Sequence, residues 1–247
     1  MNNYVKTAEL LVQSRHVMAL TGAGISVESG IPDFRSRDGL WSRYDPVEFG
    51  YIESFRANPE KVWKMLLEMD RLLTGAQPNT GHMALAELEK RGILREIVTQ
   101  NVDSLHQKAG SHNVIEFHGH ARSLRCDRCH ERFPRENISL KDIPPRCGCG
   151  YALRPEFVFF GEEIPRDALK QAMDAAQECD FMMIVGTSAS VAPASHLPRV
   201  AKNRGAFLLE INPMETELSN HTIDLRISQT AGKALSCIVA ALNEMGH

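Results

Sequence analysis

Short apolar segments alternate with helical patterns along much of this chain. Five segments rich in aliphatic, β-branched or aromatic residues are each followed by small or polar residues: 17–20, 97–99, 114–117, 181–185 and 206–211. The spacing of apolar residues predicts helices at 4–15, 59–74, 81–91, 104–109, 166–178 and 232–245. Because the apolar segments are continuous, both faces of each strand are expected to be covered, as in a parallel sheet. The pattern therefore predicts an α/β fold with a doubly wound parallel sheet.

Two stretches interrupt this alternation. Residues 122–154 contain four cysteines, three prolines and two glycines, and they are too few to form a large core of their own. Residues 39–77 place a helical segment between the first strand and its expected neighbour. We therefore predict a main domain formed by residues 1–38, 78–121 and 155–247. The smaller lobe would combine a zinc-binding module at 122–154 with a helical module at 39–77.

The four cysteines of the first interruption have a spacing typical of a structural zinc site. Cys126 and Cys129 form one pair, and Cys147 and Cys149 follow after 17 intervening residues. Four thiolates complete a tetrahedral shell and leave no position for a reactive water, so a catalytic zinc is disfavoured. The second pair is closer than usual, which keeps His130 as an alternative ligand. Two disulfides, or free buried thiols, would also be compatible with four cysteines in this segment.

Charge and hydropathy exclude several classes of partner. Lys and Arg total 28 against 31 Asp and Glu, so the broad basic surface of general nucleic-acid or anionic-membrane binders is not expected. No apolar segment approaches the roughly 20 residues that cross a bilayer. The N-terminal residues also lack the pattern of a secretory signal. We expect a cytoplasmic protein without membrane or direct nucleic-acid binding.

The first candidate ligand site follows the strand predicted at 17–20. Gly22 and Gly24 allow the backbone to approach a dinucleotide pyrophosphate, although Val27 stands where the usual motif has a third glycine. A tight turn that needs glycine for its own torsion angles is the structural alternative. Three chemically distinct residues come next: Asp33, Phe34 and Arg35. The acid suits a polar anchor, the aromatic ring a shield for a sugar carbon and the guanidinium a phosphate clamp. A solvated surface turn with one buried phenylalanine is the alternative.

Polar side chains also follow the second predicted strand directly. Gln100, Asn101 and Asp103 come at its carboxyl end, where open parallel sheets bind their ligands. Such amides and carboxylates can pair with the carboxamide and ribose hydroxyls of a nucleotide. Capping of the next helix by Asp103 or Ser104 is the alternative use of these residues.

The remaining predicted strands end in polar or small residues as well. His118 follows the third strand beside a glycine, where an imidazole can act as a general base, although a lone histidine is more often structural. Gly186, Thr187 and Ser188 follow the fourth strand, and Asn212 follows the fifth. These residues could contact the ribose or adenine of a nucleotide. Each of them taken alone could also be an ordinary turn residue.

Taken in series, these segments resemble the sirtuins, a family of NAD-dependent protein lysine deacylases. The resemblance spans roughly Leu20 to Asn212 and is carried, in order, by GAGISVESGIPDFR at 22–35, TQNVDSLH at 99–106, FHG at 117–119, the four cysteines, LRPEFVFFGE at 153–162, GTSASVAPA at 186–194 and IN at 211–212. It implies a Rossmann-like doubly wound parallel sheet with a smaller zinc-binding plus helical lobe. NAD, as a co-substrate, and an acylated lysine of a protein or peptide would enter the cleft between them.

The resemblance also implies a role for each candidate residue. His118 would be the general base, and Asn101 a second catalytic residue that forms the nicotinamide pocket with Asp103. The implied NAD-binding set is Gly22, Ala23, Gly24, Ser26, Asp33, Phe34, Arg35, Gln100, Asn101, Val102, Asp103, Gly186, Thr187, Ser188, Asn212 and the backbone near Ala234. The implied substrate set, which would hold the target peptide by strand addition, is Val158, Phe160, Gly161, Glu162 and Val191.

The implied reaction transfers an acyl group from lysine to ADP-ribose and releases nicotinamide. His118 would help to deprotonate a ribose hydroxyl, and the products would be free lysine and 2′-O-acyl-ADP-ribose. Sirtuins that prefer succinyl or malonyl groups carry a Tyr-x-x-Arg pair on the helix after a Trp. This chain has Leu66 and Met69 after Trp63, so acetyl or longer apolar acyl groups are expected.

Three further functions stay open on the sequence. Protein mono-ADP-ribosyl transfer would use the same cleft. The glycine pattern after the first strand, taken alone, also suits an NAD(P)-dependent oxidoreductase with a structural zinc module. A non-enzymatic zinc-ribbon module would leave the motifs at 99–106 and 117–119 unexplained.

Overall fold

The structure is a computed structural model that describes residues 2–34, 36–37, 39–218 and 222–247. The strands of the described residues are β1 (Val17–Thr21), β2 (Leu94–Thr99), β3 (Val114–Glu116), β4 (Gly119–Cys126), β5 (Arg132–Pro134), β6 (Leu153–Phe157), β7 (Phe181–Val185), β8 (Phe207–Ile211) and β9 (Leu225–Ile227). The α-helices are α1 (Asn3–Gln13), α2 (Pro46–Phe49), α3 (Ile52–Ala57), α4 (Pro59–Gly75), α5 (Thr80–Lys90), α6 (Leu105–Lys108), α7 (Arg166–Glu178), α8 (Leu197–Asn203) and α9 (Ala231–Glu244). A seven-residue 3₁₀ helix, Ala23–Ser29, follows β1.

Six strands form a parallel sheet that is covered on both faces. Their order is β3-β2-β1-β7-β8-β9. Val17 and Ala19 of β1 face one core cluster, and Met18 and Leu20 face the other. Because alternate side chains of a strand point to opposite faces, two buried faces require a continuous apolar sequence. The predicted α/β class with a doubly wound parallel sheet is confirmed.

The strand order reverses direction between β1 and β7. The chain builds outward from β1 through β2 to β3, and then from β7 through β8 to β9 on the other side. Such a switch point separates the two loops that leave the carboxyl ends of the adjacent strands and opens a crevice between them. The fold therefore places the loops at Gly22 and Gly186 at the position where ligands of open α/β sheets bind.

A smaller lobe is built from the two stretches that interrupt the alternating pattern. The strands β5, β4 and β6 form an antiparallel sheet in that order. One core cluster joins residues of both stretches, among them Trp63 of α4 and Leu153 of β6. The indole nitrogen Nε1 of Trp63 donates to the backbone oxygen of Leu153 at 2.8 Å. Both stretches therefore share one core, while the exact boundaries of the lobes stay a prediction.

The predicted strands and helices of the sequence are all present, with ends that differ by a few residues at most. The strands β4, β5, β6 and β9 and the helices α2, α3 and α8 are additional elements that the apolar pattern did not predict. Among the described residues, no helix is both long enough and apolar enough to span a membrane.

Candidate active site

One cavity of about 1060 Å³ opens at the switch point of the sheet and extends to the smaller lobe. This large cavity has the size of a site for a dinucleotide together with part of a second substrate. Most of the predicted site residues line it: Gly22, Ala23, Gly24, Asp33, Phe34, Gln100, Asn101, Val102, His118, Val158, Phe160, Gly161, Glu162, Gly186, Thr187, Ser188, Val191 and Asn212.

A small cavity of about 60 Å³ shares part of this lining. Ala23, Phe34 and Asn101 border both cavities, while Ser26 and Asp103 border only the small one. The small cavity is therefore a side chamber behind the loop that follows β1. Its walls are mostly apolar, with the Asp103 carboxylate and the Asn101 amide as polar groups.

One described residue of the predicted NAD-binding set, Ala234, is not part of either cavity wall. Arg35 lies outside the described residues. Ala234 is fully buried in the core cluster that α9 forms against the sheet, so its side chain faces away from the cavity. Thr230, at the N-terminus of α9, lines the large cavity instead. The helix therefore reaches the cavity one turn before Ala234.

The expected pair of acyl-pocket residues on α4 needs a correction. Met69 lines both cavities, whereas Leu66 lines neither and packs in the core of the smaller lobe. Met65 lines the large cavity in its place. Residues four apart share a helix face, so Met65 and Met69 present two thioethers to the same cavity wall.

The loops after β1 and β7 meet through glycine backbone. The amide of Gly22 donates to the Val185 oxygen at 3.1 Å, and the amide of Gly24 donates to the Gly186 oxygen at 2.8 Å. A Cβ added at Gly24 would lie 2.7 Å from the Gly186 Cα. Gly186 itself has a φ of +60°, which only glycine adopts readily. The glycines thus serve the contact between the two loops as well as access to the cavity.

A polar network fixes the residues that separate the two cavities. The Asn101 amide nitrogen Nδ2 donates to the Gly22 oxygen at 3.1 Å and to the Ser26 hydroxyl at 3.2 Å. The Ser26 hydroxyl donates in turn to the Asp103 carboxylate at 2.7 Å. The other Asp103 oxygen accepts from the Leu105 amide at 2.9 Å, so Asp103 also has the capping role that the sequence left open.

A second network connects strands on both sides of the switch point. The Gln100 amide nitrogen donates to the Thr187 hydroxyl at 2.9 Å. Asn212 donates from Nδ2 to the Thr187 backbone oxygen at 3.3 Å. Three polar residues that follow β2, β7 and β8 are therefore held together at one edge of the cavity.

His118 lies on the polar wall of the large cavity. Its Nδ1 lies 3.0 Å from the backbone oxygen of Gln100, and the ring packs edge-on against Phe117. A carbonyl oxygen only accepts, so this contact assigns the proton to Nδ1 and leaves Nε2 as the basic nitrogen. Burial lowers the pKa of His118, and the bond to Gln100 partly opposes that effect. The imidazole is therefore neutral and able to take up a proton.

Two buried histidines behind the small cavity were not singled out from the sequence. His82 and His106 pack edge to face with ring centroids 5.0 Å apart, and the Nε2 of His106 contacts the Thr21 hydroxyl at 2.9 Å. Burial lowers the pKa of His82 to about 4 and that of His106 to about 3. Both rings are therefore neutral at pH 7.

The proposed substrate segment is tied to both lobes by backbone hydrogen bonds. The Val158 amide donates to the His118 oxygen at 2.9 Å, next to the candidate base. The Phe160 amide donates to the Gly50 oxygen at 2.9 Å, and the Ile52 amide donates to the Phe160 oxygen at 3.0 Å. Phe160 is 37% exposed and Gly161 has a φ of +86°, so this segment forms an exposed edge that turns sharply.

Aromatic residues of the helical module complete the apolar end of the large cavity. Trp41 lies between Phe34 and Phe160, with ring centroids 5.5 Å and 6.2 Å away. Phe49 and Gly50 line the same wall. The sequence offered little signal for Trp41 or Phe49, because an aromatic residue in a helical stretch is most often part of a core.

The four predicted cysteine ligands form one cluster. Their sulfur atoms all lie within 4.8 Å of one another, with 3.5 Å between Cys126 and Cys149 and 3.4 Å between Cys129 and Cys147. Tetrahedral zinc with Zn–S bonds of about 2.3 Å separates its sulfurs by about 3.8 Å, so the cluster fits that ion. The four cysteines are positioned to bind one zinc ion, and His130 is not a member of the cluster.

Comparisons with known proteins agree with this geometry. The model of the Sir2 family matches residues 22–193. An NAD-dependent protein deacylase 1 of Archaeoglobus fulgidus is 44% identical over 235 residues, which cover 95% of this chain and 96% of the relative. A solved Sir2 homologue in complex with ADP-ribose has a TM-score of 0.93 at 43% identity, covering 97% and 96% of the two chains. A Sir2 complex with a p53 peptide and NAD⁺ has a TM-score of 0.87 at 34% identity, covering 98% of each chain.

Proposed function

Because this chain belongs to the Sir2 family and is an NAD-dependent protein deacylase, we propose that its large cavity binds NAD and an acylated lysine side chain side by side. One observation carries this proposal: His118, the glycine loop and the exposed edge at 158–161 line a single cavity. A base, a phosphate-binding loop and a peptide-binding edge are the parts that this reaction needs in one place.

The polar residues at the switch point hold the NAD. Bound NAD supplies an electrophilic ribose carbon and nicotinamide as the leaving group. Asn101 and Asp103 stand at the small cavity, which is large enough only for a compact group such as a carboxamide-bearing ring. Ser26 holds the Asp103 carboxylate in place, and Gln100, Thr187 and Asn212 offer their amides and hydroxyl to the ribose groups.

His118 acts as the general base. Its Nε2 takes the proton of a ribose hydroxyl, while the Gln100 carbonyl holds the Nδ1 proton and so fixes the tautomer. The same carbonyl stabilises the imidazolium that forms once the proton has moved. The lowered pKa keeps the ring unprotonated before the reaction.

The target peptide binds as an added strand beside the edge at 158–161, opposite Val191 of the loop that follows β7. The amides of Val158, Phe159 and Phe160 already donate within the fold, so the pairing relies on the carbonyl oxygens of the edge and on Gly161. Backbone bonds give such a complex its affinity, so the side chains around the acylated lysine contribute little selectivity. Glu162 lines the cavity at the end of this edge and fixes its turn.

The preferred substrates carry acetyl or longer apolar acyl groups on the lysine. Met65 and Met69 present flexible, apolar thioethers to the cavity, and Trp41 and Phe49 extend the apolar wall. Among these four side chains there is no cation to offset a succinyl carboxylate, whose burial without a partner is costly.

The zinc ion has a structural role in this proposal, and the protein is cytoplasmic. Four thiolates fill the coordination shell, so the ion takes no part in the reaction. None of the six cysteines is paired in a disulfide, which suits a reducing compartment. The acidic balance of the chain supports a function without direct nucleic-acid binding.

The direct test is a nicotinamide-release assay with acyl-lysine peptides. We expect one nicotinamide per lysine freed, no signal of reduced nicotinamide cofactor, and faster turnover of acetyl and butyryl than of succinyl peptide. The variant His118→Ala should lose about 10²–10⁴-fold in kcat and remain folded. Deacylation that proceeds equally well without NAD would refute the proposal.

A further inference from the structure

A buried arginine connects the zinc module to the proposed peptide-binding edge. The Arg154 side chain is only 1% exposed, and all of its guanidinium nitrogens have partners. Its Nε donates to Asp127 at 2.9 Å, its Nη1 donates to the Phe157 oxygen at 3.0 Å, and its Nη2 donates to Glu162. A buried guanidinium is tolerated only with such pairing, so this geometry is closely specified.

The partners of Arg154 belong to two different parts of the molecule. Asp127 lies between the zinc ligands Cys126 and Cys129. Glu162 ends the proposed peptide-binding edge, where its second oxygen accepts from the Phe159 amide at 2.9 Å. The guanidinium therefore bridges two segments. One is the zinc knuckle, defined as residues 126–129, and the other is 157–162, which contains the edge at 158–161.

Arg154 also contacts the central residue of the edge. Its Cζ lies 5.3 Å from the centroid of the Phe159 ring, and Phe159 is 3% exposed. Val158, Phe159 and Phe160 all contribute to the wall of the large cavity. Holding the largely buried Phe159 in place therefore fixes the position of its two neighbours in that wall.

A second arginine, Arg125, contacts the same two carboxylates, but it cannot take over the role of Arg154. Arg125 lies 3.1 Å from Asp127 and 3.5 Å from Glu162, but its side chain is 38% exposed. Solvent weakens such contacts, and Arg125 has no bond to the backbone of the edge among those described. Arg154 is thus the member of the group that holds the edge itself.

We propose that Arg154 is a positioning residue for the peptide, fixed at one end by the zinc knuckle and holding residues 157–162 at the other. The proposal rests on the function proposed above and extends it. Arg154 lines neither cavity, so it acts through Phe159 and Glu162. Its loss weakens peptide binding and leaves the NAD half of the site intact, because the loops after β1 and β7 do not depend on it.

The test compares Arg154→Lys and Arg154→Met with Arg128→Met, which removes an exposed guanidinium from the same knuckle. We expect both Arg154 variants to keep one zinc per chain. We also expect the KM for acetyl-lysine peptide to rise about tenfold or more, and the KM for NAD and the Kd for ADP-ribose to stay within about twofold. Arg128→Met should match the wild-type protein in all of these values.

Amide hydrogen exchange provides a readout that does not depend on turnover. In Arg154→Lys the amides of 157–162 should exchange faster, while those of β1 and β7 stay protected. If the Arg154 variants do not fold, Asp127→Asn decides by the same measurements, since it releases the arginine at a partly exposed position.

Two results would overturn the inference. One is an unchanged peptide KM together with unchanged exchange in a folded variant. The other is a parallel rise in the KM values for peptide and NAD, which would indicate general damage. If the wild-type protein failed to deacylate any peptide, the proposed function would fall, whereas the exchange experiment would still decide whether Arg154 holds the edge.

Discussion

The burial of His118 has a direct consequence for the pH dependence of turnover. Only the neutral imidazole can accept a proton, and burial places its pKa below the ordinary value. Activity is therefore retained as the pH falls through the usual range near 6.5 and is lost only when it passes the lowered pKa. A profile of kcat/KM against pH should show its acid limb below about pH 6.5. An acid limb above that value would contradict the assignment of His118 as a buried base.

The buried pair of His82 and His106 predicts a loss of stability in mild acid. Both pKa values are lowered in the folded state, to about 4 and about 3, so the unfolded chain binds protons that the folded chain does not. The two histidines leave the free energy of unfolding unchanged above about pH 6.5 and lower it as the pH falls below that value, by up to about 1 kcal/mol per pH unit for each histidine. Urea unfolding from pH 7 to pH 4 measures this slope.

The matched variants for that experiment are His82→Gln and His112→Gln. Replacing the buried ring should reduce the slope between pH 6 and pH 4 by about 1 kcal/mol per pH unit, and His112→Gln, which replaces an exposed ring, is the control. Equal slopes in wild type and His82→Gln would show that His82 is not a buried neutral group.

The position of a side chain in the site could be predicted from the sequence for some residues and not for others. His118 and Asn101 follow strands directly, and the ends of parallel strands share one edge of the sheet, so their proximity was predictable. Leu66 and Ala234 lie on helices, where a shift of one position turns a side chain from the cavity into the core. Their orientation depends on how α4 and α9 pack, which the local sequence does not determine.

In the large sheet, five of the six strands were predictable and the edge strand β9 was not. β7 is apolar at every position because both of its faces are buried. β9 has only three residues, one of them Arg226, and forms at the edge of the sheet through its register with β8. An edge strand of that length has too little pattern to be distinguished from a loop.

We predict that the fluorescence of Trp63 changes when the metal is removed from the zinc module. Cys126 and Cys147 belong to the same core cluster as Trp63, whereas the two clusters of the large sheet contain no zinc ligand. Chelation should therefore loosen the smaller lobe first, because structural zinc contributes folding energy to its module. In a Trp41→Phe background, the emission of Trp63 should shift to longer wavelength while most of the far-ultraviolet helical signal remains.

The control for metal removal is Cys237→Ser, which changes a half-buried thiol outside the cluster. It should retain one zinc per chain, whereas Cys126→Ser should lose zinc, thermal stability and activity together. Loss of zinc from Cys126→Ser with an unchanged Trp63 spectrum would show that the ion does not support the core of the smaller lobe.

At the scale of the whole molecule, the large cavity exists only because distant parts of the chain meet. Its walls include the loop after β1, the helical module, the edge that follows β6 and the loops after β7 and β8. None of these segments forms a binding site alone. A ligand of the cavity therefore binds the folded chain and not the unfolded one, and it stabilises both lobes against unfolding.

ADP-ribose should thus raise the melting temperature of the whole chain. At about 100 times its Kd it adds about 2.7 kcal/mol to the free energy of unfolding, which corresponds to about 5–10 °C for a chain of this size. Gly24→Ala should abolish most of this shift at the same concentration, because the new Cβ would lie 2.7 Å from the Gly186 Cα and force apart the two loops that meet at the switch point. Gly75→Ala is the matched control, since a Cβ there meets no atom within 4 Å. Equal shifts of the melting temperature in the two variants would show that ADP-ribose does not bind at the contact between the two glycine loops. The proposed phosphate-binding part of the site would then be wrong.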